Sequence, residues 1–188
     1  MVFSNFRKYD RITGMSRILR RYLVMNAFDG ALTTLGLLFG AFFGGLQNNE
    51  TVFLIGLSTA AAVSLSGFSG AFFAEEAERK KELHELERAL LHKLKKTDYA
   101  KAFRFATYAA AAVDGFSPLL AALVILSPFL LLASAAAYLA SFCLGFSLLF
   151  LLGAYLGVIS KENFVGSGIK MVAVGAIALL VSFLLRTV

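Results

Sequence analysis

The chain has 188 residues, 59% of them hydrophobic and 16% charged, and a mean hydropathy of +0.75, far above that of an ordinary water-soluble domain. Its apolar stretches run about 20 residues, the length a helix rising ~1.5 Å per residue needs to cross a ~30 Å hydrocarbon core. A barrel, a disulfide scaffold, a secreted enzyme and a disordered tail are excluded, and the single cysteine, Cys143, reads as a small packing residue.

The net charge of +6 points to membrane topology and not to a nucleic-acid partner, because of where the charges fall. Residues 7 to 21 hold Arg7, Lys8, Arg11, Arg17, Arg20 and Arg21, and residues 79 to 104 hold nine more Lys and Arg. The loop 47–51 and the Ser127-Pro128 turn hold none, and only Lys161, Lys170 and Arg186 follow. Placing the basic segments in the cytosol predicts five crossings, the N-terminus inside and the C-terminus outside, with 17 of the 18 basic residues on the inner side. The N-terminal stretch lacks the short apolar core and small-residue cleavage site of a removable signal peptide.

In chain order, the first crossing is expected at 22–45, ending in Gly44-Gly45. The second covers 52–74, and its helix is expected to continue into the cytosol to about 95 within a helical extension spanning 75–102, since no Gly or Pro interrupts Ala71 to Lys96. The third covers 103–126, and Ser127-Pro128 turns the chain. The fourth covers 130–158, Ser160 to Asn163 with Gly166 and Gly168 form the next break, and the fifth covers 169–186. The expected fold is an all-α integral membrane protein, a single five-helix domain over 1–188.

Asp29 and Asp114 are the ionisable groups placed inside the hydrocarbon region. An intramembrane carboxylate costs several kcal/mol, so it normally faces the bundle interior or a wet cavity and marks an ion or proton path. Each is followed by Gly, a residue that loosens a helix, in Ala27-Phe28-Asp29-Gly30 and Ala112-Val113-Asp114-Gly115. The bland reading is a protonated Asp, or one bonded to backbone freed by the glycine. Asp29, Thr33, Gly36, Gly40 and Gly44 fall within roughly an 80° arc, with Met25 and Asn26 one turn nearer the cytosol. Gly36, Gly40 and Gly44 form two overlapping GxxxG motifs, so this stripe is expected to pack inside the bundle or across a two-fold dimer axis. In the second crossing Thr59, Ser66, Ser69 and Gly70 form a hydroxyl and glycine face, whose hydroxyls could equally bond carbonyls one turn back.

These residues resemble the vacuolar iron transporter family. Asp29-Gly30-Ala31-Leu32-Thr33 with Gly36 and Gly40 is similar to the family's DGxxT opening. Residues 56 to 78, from Gly56 through Ser66-Gly67 to Phe72 and Glu78, resemble its second helix, and Gly115-Phe116-Ser117-Pro118-Leu119-Leu120 its glycine-to-proline segment. The resemblance implies a homodimer in the cell membrane that exports ferrous iron, manganese or related divalent cations from the cytosol in exchange for protons, with Asp29 matching the family's first-helix aspartate. Two departures stand out: Gly67 where the family has a methionine, which removes a soft ligand, and Thr59 where it often has a glutamate. Met25 could replace the thioether or simply be an apolar filler.

Within the cytosolic extension Glu75, Glu78, Glu82 and Glu85 share a face that nearly includes His92, and such a set could capture a divalent cation. The competing reading is a solvated helix with ion pairs such as Glu75 to Arg79 and Glu76 to Lys80. Leu83, Leu86, Leu90 and Leu94 form an apolar line suited to a dimer partner or to folding back. No catalytic motif appears, so no enzyme and no permanently bound cofactor are expected; the metal ion is substrate. The expectation is a proton-coupled metal transporter with Asp29 as central ligand, Asp114 as second ligand or proton relay, and Asn26, Thr33 and Ser66 as neutral oxygens. Its rivals are a non-transporting membrane scaffold and a transporter of another solute.

Overall fold

A computed structural model describes residues 2–94 and 97–185. Lys95, Lys96 and Arg186, and with Arg186 the expected end of the fifth crossing, lie outside the described residues. The elements in order are α1 (Val2–Thr13), α2 (Met15–Phe43), α3 (Asn49–Leu90), α4 (Asp98–Leu126), a short 3-10 turn (Ser127–Leu130), α5 (Ser134–Ser160) and α6 (Phe164–Leu185). Five helices, α2 to α6, are long and apolar enough to cross a membrane, and among the described residues there is no strand. The chain is an all-α membrane protein, as its hydropathy requires.

Local chemistry sets the helix ends. Asn48 caps α3 by accepting a hydrogen bond from the Thr51 N–H at 3.0 Å, and Asn163 caps α6 through the Val165 N–H at 3.0 Å. Gly45, at φ +74°, ends α2 as the Leu46 N–H bonds the Ala41 carbonyl and the Gly45 N–H bonds that of Phe42, the paired closure that favours a left-handed residue. The end of α3 differs from expectation: the helix stops at Leu90 and not near 95. Leu91 takes the left-handed conformation, φ +51°, and the His92 and Leu91 N–H groups close back on Glu87 and Arg88. A leucine thus fills the position usually held by glycine, and the Glu87 carboxylate then accepts the Leu94 N–H at 2.7 Å.

Two further differences concern glycines. Gly166 and Gly168 do not form the break before the last helix; they lie within α6, and the break is Lys161–Asn163. A Cβ on Gly168 would meet the Phe150 ring at 2.6 Å and one on Gly153 the Ser167 carbonyl at 2.5 Å, so these residues let α5 and α6 approach. The N-terminal α1 was not anticipated. It ends at Gly14, φ +61°, and Asp10 accepts the Ser16 N–H at 2.7 Å at the start of α2.

The described chain divides into two compact units. The first comprises the residues up to Met25 with Ser64–Ser117. Its buried side chains include Met15, Val24 and Phe103, with Ala102, Ala106 and Ala110 at four-residue spacing along α4, a row of small residues that lets helices close up. The second unit, Asn26–Val63 with Pro118–Val188, is built on a cluster that includes Leu35, Leu38, Val52, Ile125, Leu126, Phe129, Tyr138 and Leu149. At one end of it the Asn49 side-chain amide donates to the Phe129 and Leu132 carbonyls at 3.2 and 2.6 Å, and the Tyr138 hydroxyl donates to the Leu46 carbonyl at 2.8 Å. Cys143 is exposed on α5 and packs no core.

Candidate functional site

Along α2 the polar stripe lies on the outside of the single chain. Asp29, Thr33, Gly40 and Gly44 are exposed, Met25 is 53% exposed, and Asn26 and Gly36 are partly buried. A Cβ added at Gly36 or Gly40 would meet nothing within 4 Å. Of the two positions expected for this stripe, the interior of the bundle is therefore not where the chain puts it. Met25 is no core filler either. Thr34, next to Thr33, is the buried threonine, and its hydroxyl donates to the Gly30 carbonyl at 2.7 Å.

The two Asp-Gly pairs prove unalike. Asp114 is 7% exposed, on α4 in the first unit. Its carboxylate lies against α3 at Gly67, where a Cβ would come within 2.8 Å of Oδ2. Gly67, the residue that departs from the family pattern, thus makes the room Asp114 occupies. One turn further along α4 the helix carries Pro118, which has no N–H to donate. The glycines after the two aspartates do not loosen their helices, which run unbroken. A Cβ at Gly30 would strike the Pro118 backbone at 2.5 Å, and one at Gly115 the Phe68 Cβ at 2.7 Å; each marks a close crossing of helices.

On α3, Ser66 is exposed, and the Thr59 and Ser69 hydroxyls donate one turn back to the Ile55 and Leu65 carbonyls. The buried hydroxyl is that of Ser64, which finds no hydrogen-bond partner among the described residues.

The acidic face of the extension is drawn into ion pairs. Arg79, 7% exposed, lies 3.4 Å by Nε from Glu75 and 2.8 Å by Nη1 from Glu82, and Lys80 pairs with Glu76 at 2.9 Å. The Tyr22 hydroxyl donates to Glu75 at 3.1 Å. Glu78 and Glu85 are exposed, and His92 lies beyond the end of the helix and off its face. Among the described residues no three His, Cys, Asp or Glu side chains gather to hold a metal ion. Tyr22 and the burial of Arg79 were missed from the sequence. Tyr22 sits 53 positions from Glu75, with no local spacing to join them, whereas a lone arginine among glutamates at i−4 and i+3 was a readable signal.

The VIT family's sequence model matches residues 20–102, a stretch that includes Asp29, Ser66 and the acidic face but not Asp114. An uncharacterized protein of Methanocaldococcus jannaschii is 38% identical to the chain over 162 residues, covering 84% of this chain and 83% of that protein.

Proposed function

Because the chain belongs to the VIT family of membrane transporters, we propose that it exports a divalent cation of the iron(II) or manganese(II) kind from the cytosol in exchange for protons, as a homodimer in the cell membrane. One observation carries the reading: the helix with a carboxylate at a membrane-crossing position turns that carboxylate outward, on a stripe of Thr33, Gly36 and Gly40 open to close approach. Facing lipid, Asp29 would cost several kcal/mol. Facing its own copy across a two-fold axis, with glycines bringing the helices together, it would form a paired-carboxylate site that cations neutralise. A hard carboxylate pair flanked by the Met25 thioether suits a borderline metal, and protons compete for the same oxygens.

Asp114 would be the second ligand or proton relay, supported by its burial and by the clearance at Gly67. Asn26, Thr33 and Ser66 would supply neutral oxygens. The distribution of basic residues supports an N-terminus in the cytosol and a C-terminus outside, which would make the extended end of α3 cytosolic. There Glu75, Glu78, Glu82, Glu85 and His92 would bind metal only weakly within one chain, since Arg79 holds two of the carboxylates.

The test is flux through purified, reconstituted protein against Fe(II), Mn(II), Co(II), Zn(II), Mg(II) and Ca(II) at two pH values. Wild type should move Fe(II) or Mn(II) with opposite proton movement, and Asp29→Ala should abolish it with the fold intact. Unchanged, pH-independent flux in that variant would sink the reading. Loss of dimer stability without any effect on flux would favour a scaffold.

A further inference from the structure

A cavity of about 360 Å³ opens between the extended part of α3 and the first turns of α4, wholly within the first unit. Its walls carry Arg79, Lys80 and Arg104 against one carboxylate, Glu76, with Leu83 and Phe103 as apolar wall. Arg79 is held by Glu75 and Glu82 and Lys80 by Glu76, so the charge left in the wall to attract an anion is that of Arg104. The guanidinium of Arg79 stacks over the Phe103 ring, 5.6 Å from its centre. Its buried Nε is an ion-pair neighbour of Glu75 yet makes no hydrogen bond among the described residues. A buried donor left unmade is costly. Arg104 makes no ion pair among the described residues.

The depth of the cavity identifies the anion. With crossings at 52–74 and 103–126, Glu76 to Leu83 lie roughly 3 to 14 Å past the hydrocarbon edge at ~1.5 Å per residue, and Phe103 lies at that edge. A headgroup layer occupies about 5 to 8 Å on each side of the core. The membrane-side part of the cavity, from Phe103 to Glu76 and Arg79, therefore stands at headgroup level on the basic side of the protein, where anionic lipids meet basic pockets between helices. We propose that it binds the phosphate of an anionic phospholipid, the phosphodiester oxygens on Arg79, Lys80 and Arg104 and the glycerol and upper acyl carbons on Phe103. This site is separate from the stripe on α2 and does not depend on the transport reading.

The experiment is native mass spectrometry of delipidated full-length protein titrated with phosphatidylglycerol or phosphatidylcholine. It compares wild type, Lys80→Gln/Arg104→Gln, and Arg7→Gln/Arg11→Gln, which removes equal charge from exposed positions elsewhere. Lys80 and Arg104 are exposed, so the first double variant should fold, and an unchanged melting midpoint checks this. Wild type and the Arg7/Arg11 variant should retain phosphatidylglycerol over phosphatidylcholine, and the Lys80/Arg104 variant should bind it roughly thirtyfold more weakly. Equal binding of both lipids, or unchanged affinity in the Lys80/Arg104 variant, would overturn the proposal. So would stabilisation by inorganic phosphate through the same two residues with no retention of phosphatidylglycerol, which would assign the cavity to a soluble anion.

Discussion

At the residue scale the glycines divide by what faces them. Gly30 and Gly115 are contact points at which a side chain would enter a neighbouring helix, whereas Gly36 and Gly40 face open space in the single chain. Gly30→Ala should therefore cost about 1 to 3 kcal/mol through overpacking against the Pro118 backbone, read as a lower midpoint in thermal unfolding. Gly36→Ala should leave the fold of the single chain unchanged and lower only the self-association of the protein, read by size-exclusion light scattering. Gly67 belongs to a third kind, since the atom facing it is the free end of the Asp114 side chain, which can move where backbone cannot.

At the element scale the helix ends hold the adjustable features. Leu91 is 93% exposed and left-handed, a conformation that costs an L-residue with a Cβ about 1 to 2 kcal/mol. Leu91→Gly gives up no packing and should raise stability by about 1 kcal/mol, measurable as a higher midpoint for α3 in thermal or proteolytic unfolding. The junction of α1 with α4 rests on Lys8 and Asp98, 2.6 Å apart, and on Phe6 and Tyr9 against Phe105. The hydrogen bond from Lys8 lowers Asp98 below its ordinary 3.8, and the same bond raises Lys8 above its ordinary 10.5. The Asp98 contribution is present above pH 3.8 and is lost as pH falls through the lowered value. The Lys8 contribution is present below pH 10.5 and is lost as pH rises through the raised one. Spin labels on α1 and α4 should hold a fixed separation across the range between and drift apart beyond either end. High salt should loosen the same contact, because both side chains are exposed.

At the scale of the whole molecule the decisive feature is a carboxylate that one chain does not cover. In a Cys143→Ser background, Thr33→Cys should form an intermolecular disulfide under mild oxidation in native membranes, whereas Leu35→Cys, buried in the core of the second unit, should not. Absence of the Thr33 crosslink, with Asp29-dependent transport intact, would mean that the carboxylate is covered by some other surface.

The amino-acid order alone determined the class of protein and its five long apolar helices, because hydropathy over about 20 residues is a local sum that no tertiary contact alters. It also determined the family, since the DGxxT and Ser-Gly patterns are contiguous, and the alignment of Met25, Asp29, Thr33 and Gly40 on one face, which follows from helical period. Tertiary structure decided which way that face points, that Asp114 is buried against Gly67 while Asp29 is not, and that Glu75 belongs to Tyr22 and Arg79. Periodicity specifies a face but not its neighbour; the neighbour depends on which helices meet, and that is set by residues dozens of positions apart.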